Sequence, residues 1–105
     1  NADGTFVYTG FKPAWVLHKR TDSTSEWFMF DNKRLGYNPD NYRIMANLSD
    51  TEADPGGYDL LSNGFKLRFT SGNANGSGNS YIFMAFAENP FVANDSGTAV
   101  PVVAR

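Results

Sequence analysis

The chain has one histidine, His18, set between the apolar run Ala14–Leu17 and the basic pair Lys19-Arg20. A serine nucleophile paired with it would be announced by a G-x-S-x-G turn, and no such string occurs. A zinc ion held by His18 would need several carboxylates in place of absent cysteines and further histidines. His18 therefore reads as a surface residue at a strand end. Carboxylates are plentiful: Asp22, Glu26, Asp31, Asp40, Asp50, Glu52, Asp54, Asp59, Glu88 and Asp95. Glycoside hydrolysis needs two of them about 5–9 Å apart across a cleft. A chain of 105 residues offers little wall for one, so they read as solvated loop acids and turn-formers. The alternation Asp50-x-Glu52-x-Asp54 could offer oxygens to calcium, but it lacks the mid-loop glycine and closing glutamate of an EF-hand. Gly72–Gly78 is glycine-rich without the Gly-Lys-Ser/Thr and helix of a phosphate loop. No catalytic residue, metal site or cofactor is expected.

Amides and rings are the more informative set. Asn32, Asn38, Asn41, Asn73, Asn75 and Asn79 fall in loops, with Trp27, Tyr37, Tyr42 and Tyr58 near them. Amides and carboxylates hydrogen-bond sugar hydroxyls, and flat rings cover the apolar faces of sugars. Asparagine is also a common turn residue, so the pattern permits a shallow carbohydrate site without requiring one.

The elements that would position these residues are strands. Length fits one domain, with 41 % hydrophobic and 19 % charged residues. Aromatics reach 15 %, and Gly, Asn, Ser and Thr make up about a third of the chain. That composition suits short strands joined by tight turns. A net charge of −2 leaves no basic surplus for nucleic acid. Without cysteine there is no disulfide. The longest apolar run, Tyr81–Ala87, has seven residues, far short of the ~18 of a membrane span. The start at Asn1 rather than Met reads as a fragment or processed piece.

Strands are expected at Thr5–Thr9, Ala14–Arg20, Glu26–Asp31, Tyr42–Leu48, Tyr58–Leu61, Phe65–Thr70 and Ser80–Glu88. Ser62-Asn63-Gly64 should turn a hairpin. In Tyr42–Leu48, Tyr42, Ile44 and Ala46 should point inward. Glu26–Asp31 and Ser80–Glu88 are apolar on both faces and should be covered on both, the latter as the central strand. Phe28, Phe30, Leu67, Phe69, Ile82, Met84 and Phe86 are the expected core. Ser49 and Glu52 have a capping-box spacing, which would open one helical turn. Ser71–Asn79 reads as a flexible loop, and no helix of ten residues is expected. The fold class is all-β: one antiparallel β-sandwich, with a small barrel as the alternative, over residues 1–91, followed by a C-terminal arm over 92–105.

Four strings, in order, carry a resemblance. They are Tyr8–Leu17 with Lys19–Asp22, then Trp27–Asn32 with Lys33-Arg34 and Tyr37-Asn38, then Leu60–Arg68, then Tyr81–Phe91. The last two are the most specific. Together they resemble a β-sandwich domain of tailed bacteriophages, found at the C-terminal end of virion structural and tail-fibre-like proteins. The resemblance covers roughly residues 3 to 92. It implies a non-enzymatic module on the outside of the virion, similar to jelly-roll and concanavalin-like sandwiches in broad architecture only. It implies an apolar residue where His18 stands.

Two functions follow as expectations. The first is a tail-fibre or receptor-binding module that contacts a host-surface glycan or receptor. Its site would be a shallow loop surface of Arg34, Tyr37, Asn38, Asp40 and Tyr42, with Asn73 and Asn75 as weaker members. The second is a capsid or tail decoration protein that holds other virion subunits together. In either case no nucleic acid and no membrane insertion is expected. A homotrimer joined through the apolar arm Phe91–Arg105 is expected, because phage fibres are generally threefold.

Overall fold

The computed structural model describes the chain except residues 1–3, 36, 39–41, 54–56, 69, 90–91, 96–97 and 102–105; for 92–95 and 98–101 it describes the backbone alone. Nine strands and one helical turn lie within the described residues: β1 (Phe6–Tyr8), β2 (Pro13–Arg20), β3 (Phe28–Asp31), β4 (Ile44–Met45), β5 (Tyr58–Leu61), β6 (Gly64–Leu67), α1 (Gly72–Asn75), β7 (Tyr81–Ala87), β8 (Val92–Asp95) and β9 (Thr98–Pro101). They form an antiparallel three-stranded sheet ordered β1-β6-β5 and an antiparallel four-stranded sheet ordered β4-β3-β2-β7. The fold is all-β, as the composition led one to expect. β8 and β9 pair with each other in a separate two-stranded sheet.

The two larger sheets meet through alternate residues of their strands. Val16, Phe28 and Phe30 from one join Tyr58, Leu60, Phe65 and Leu67 from the other in a single buried cluster. At its centre the Phe30 and Tyr58 rings stack with centroids 3.7 Å apart, and the Phe65 ring is nearly parallel to Tyr58 at 5.7 Å. Each such side chain contributes about 1.5–3 kcal/mol through burial. The hairpin forms where Asn63-Gly64 placed it: Leu61 pairs with Gly64, and Ser62-Asn63 make the two-residue loop. Phe65 and Leu67 face inward, while Arg68 and Thr70 lie at the surface.

Several expectations are corrected. β7 is not central. β2 is, with β3 on one side and β7 at the sheet edge. Ile82, Met84 and Phe86 are accordingly 52, 52 and 58 % exposed instead of core. β3 is covered on one face only. Phe28 and Phe30 are buried, but Met29 is half-buried and neighbouring Trp27 is exposed. An all-apolar run meets the needs of a strand with two covered faces, yet it does not supply the second cover. Ala46 is exposed, because the chain leaves β4 in a turn after only two paired residues. The segment around Ser49–Glu52 has no helical turn; Ala53 instead bridges to Arg43. A helical turn, α1, forms in Gly72–Asn75, where the Ser71 side chain accepts the Asn73 N–H and so caps it. Phe69 lies outside the described residues.

Two glycines mark where backbones pass without room for a side chain. Gly4 has φ +81°, and a Cβ there would fall 1.9 Å from the Leu67 carbonyl oxygen. At Gly64 a Cβ would stand 2.0 Å from the Val7 carbonyl oxygen, inside the β1–β6 ladder. Gly64→Ala should therefore displace β1 and cost about 1–3 kcal/mol. Gly72→Ala, whose nearest neighbours would be at 3.8 Å, should stay within about 0.5 kcal/mol of the parent. Thermal melts of the two variants check this; equal melting temperatures would contradict it.

Candidate functional site

The loop after β3 is fixed before it reaches its tip. Asp31 Oδ1 accepts the backbone N–H groups of Lys33 (2.8 Å) and Arg34 (3.1 Å). Its Oδ2 pairs with Arg34 Nε at 2.7 Å. Partial burial works to raise the Asp31 pKa, but those N–H donors and the guanidinium outweigh it and hold the carboxyl below its ordinary value. Arg34 also reaches Glu52 Oε2 at 3.2 Å, which ties the loop to the segment before β5. Farther along, the Asn38 amide donates to the Leu60 carbonyl and accepts the Leu60 N–H, both at 2.9 Å. A side chain thus satisfies the free edge of β5 as a neighbouring strand would.

These anchors enclose a polar basin of about 280 Å³ lined by Lys12, Asn32, Lys33, Tyr37, Asn38, Leu60 and Glu88. Lys12 Nζ and Glu88 Oε2 are 3.3 Å apart at its wall. The Asn32 N–H is held by the Ala14 carbonyl at 3.0 Å, while its side-chain Oδ1 is buried with no hydrogen-bond partner. The Tyr37 ring stands 66 % exposed. The basin thus sets two ammonium groups, Lys12 and Lys33, and the Glu88 carboxylate beside an open aromatic ring, which are donors and acceptors within one depression.

Of the expected loop residues, Tyr37 and Asn38 come together here. Arg34 serves the loop, its charge engaged by two carboxylates. Tyr42 is half-buried and does not line the basin. Asp40 lies outside the described residues. Asn73 and Asn75 lie in α1 near the Arg20 end of β2, while Asn32 bonds to Ala14 near the other end. Asn73 is exposed; Asn75 is 4 % exposed and accepts the Thr5 hydroxyl at 2.8 Å, so it holds α1 to the chain before β1. Lys12, Lys33 and Glu88 were not expected. Lys12 and Glu88 meet because β2 and β7 pair, and the Glu88 N–H donates to the Lys12 carbonyl at 2.8 Å.

A second, more apolar cleft of about 510 Å³ opens between the sheets, walled by Val7, Phe65, Leu67, Ile82 and Phe83. His18 lies at this cleft, and here the expectation of a surface histidine is corrected: the ring is 4 % exposed. In β2 it shares the inward face with Val16, and its ring is stacked with those of Phe30 and Tyr58 and tilted against Phe28. Its Nδ1 is hydrogen-bonded to the Tyr58 hydroxyl, and its Nε2 has no partner. Burial, and secondarily the positive charge of Arg43, lower its pKa from 6.5 to about 4, so it is neutral near pH 7. Burial likewise raises the Tyr58 phenol well above 10. Among the described residues no group of three metal-ligating side chains occurs, and no helix is long and apolar enough to cross a membrane.

Residues 1–90 match the family model DUF7483, described as a domain of unknown function. No curated protein and no solved structure matches the chain.

Proposed function

The chain belongs to the DUF7483 family, whose function is unknown, and we propose that it is a non-enzymatic module of the outer virion, of tail-fibre or receptor-binding type, whose polar basin binds host-surface glycan. One observation carries the glycan reading: the exposed Tyr37 ring borders a basin that Lys12, Lys33, Asn38 and Glu88 also line. Sugar hydroxyls act as donors and acceptors at once and suit such a mixed set. An exposed ring covers the C–H face of a pyranose. A volume of about 280 Å³ fits one or two sugar units. The virion reading rests on the sequence resemblance alone. The runner-up, a decoration protein joining virion subunits, draws support from the apolar side chains that β7 exposes.

Glycan-array binding of the chain displayed multivalently tests the reading. Tyr37→Ala should weaken binding roughly tenfold, which corresponds to the loss of one aromatic contact worth about 1.4 kcal/mol. Asn73→Ala, at the far end of β2, should bind as the parent does. No glycan retained by the multimer, or equal retention by Tyr37→Ala, would refute it.

A further inference from the structure

β7 is an edge strand that carries in itself no device that blunts an edge; the one irregularity of its ladder, a register shift between Pro13 and Trp15 opposite Ala87 and Phe86, puts the extra residue, Ala14, in β2. From Tyr81 to Ala87 it has no charge, proline or glycine, and among the described residues no strand pairs with its outer side. Natural proteins commonly break such an edge with lysine, proline or a bulge. The free backbone groups can be identified. The Ser80 carbonyl accepts the Thr21 N–H at 2.9 Å, and the Glu88 N–H reaches the Lys12 carbonyl at 2.8 Å. Both residues direct their backbones toward the β2 side. With a period of two, Ile82, Met84 and Phe86 do the same, so Tyr81, Phe83, Ala85 and Ala87 turn their N–H and C=O groups outward.

We propose that this edge pairs antiparallel with β7 of a second copy, across a twofold axis at Met84. In that register Tyr81 faces Ala87 of the other copy and Phe83 faces Ala85. All four outward residues of each copy are then hydrogen-bonded, whereas a shift of two residues leaves some unpaired. Large side chains meet small ones on the inner face. On the outer face, Ile82 meets Phe86 and Met84 meets itself. That outer face continues the row in which Trp15 pairs with Phe86 and Leu17 with Met84, so the joined sheet extends one apolar surface. The strand is complementary to itself in hydrogen bonding, size and lack of charge, which marks a second copy as its occupant.

Ile82, Phe83, Met84 and Phe86 are each about half exposed. They offer roughly 400 Å² per copy, on a scale of 150–250 Å² for a large side chain. Two copies reach about 800 Å², short of the 1,200–2,000 Å² of stable interfaces, so the association is reversible and concentration-dependent. A contact of this kind closes at two copies, unlike the threefold arrangement expected through the C-terminal arm.

The natural absence of cysteine makes the register testable. Met84 faces its own copy as a non-hydrogen-bonded pair, with Cα atoms about 4.5 Å apart, within disulfide reach. Met84→Cys should therefore give a disulfide-linked dimer on mild oxidation. Ile82→Cys should not, because its own copy lies about 13 Å away, four residues along the strand. Sedimentation of the unmodified chain should show a monomer–dimer equilibrium. Met84→Lys, which sets two ammonium groups at the axis, should be monomeric with unchanged circular dichroism. A chain monomeric at millimolar concentration, a trimer, a dimeric Met84→Lys, or equal cross-linking by both cysteine variants would overturn the proposal.

Discussion

Tyr58→Ala should leave the chain at the margin of folding. The Tyr58 side chain is fully buried, its ring stacked with those of Phe30 and Phe65, and its hydroxyl is the hydrogen-bond partner of His18 Nδ1. Truncating a buried aromatic costs about 3–5 kcal/mol. Leaving the ring nitrogen of His18 without its partner adds about 1–3 kcal/mol. A domain of this size has roughly 5–15 kcal/mol in total. Tyr58→Phe keeps the stack and loses only the hydroxyl, so it should cost about 1–3 kcal/mol. Urea unfolding followed by tryptophan fluorescence separates the two. An alanine variant as stable as the phenylalanine variant would show that the stack is not what joins the sheets.

Acid should destabilise the fold well before its carboxylates titrate. The His18 pKa is 6.5 unfolded and about 4 folded, lowered by burial and by Arg43, whose guanidinium also lies 5.1 Å from the Phe28 ring centroid. Between those values the unfolded chain binds a proton that the folded chain refuses. Stability is therefore full above pH 6.5 and falls as pH drops toward 4, by about 3 kcal/mol over the interval. Below that range His18 adds no further slope. Asp31, whose pKa is depressed in the fold, then contributes its own loss as it protonates. His18→Phe should flatten stability between pH 6.5 and 4, whatever its absolute value. Urea midpoints across pH measure both curves; a parent curve flat through this interval would contradict the assignment.

The strands were legible where alternation reported a face. Phe65-Lys66-Leu67 showed which side turns inward, and Asn63-Gly64 placed the hairpin. β7 was misread because periodicity reports only which faces are apolar. Whether those faces are covered depends on the order of strands, and that order puts β2 in the middle. His18 was misread for a related reason. A polar residue late in a strand looks like a strand end unless its partner is known, and Tyr58 is 40 residues away. The basin was half legible. Tyr37 and Asn38 stood out as a ring and an amide in one loop. Lys12 and Glu88 lie 76 residues apart and become neighbours only through the β2–β7 ladder. Nothing local signalled that Asn38 would spend its amide on a backbone.

That use of Asn38 bears on how the basin can change. The three-stranded sheet ends at β5 in a side-chain amide, and the loop is pinned at its start by the Asp31–Arg34 pair. The requirements of folding are thereby concentrated in a few anchors. Lys33 and Tyr37 are both exposed, and neither makes a hydrogen bond on which the sheets depend. Such a loop is a ready-made frame for diversification. A library randomised at Lys33 and Tyr37, with Asp31, Arg34 and Asn38 retained, would vary the floor and rim of the basin while every member inherits the same scaffold.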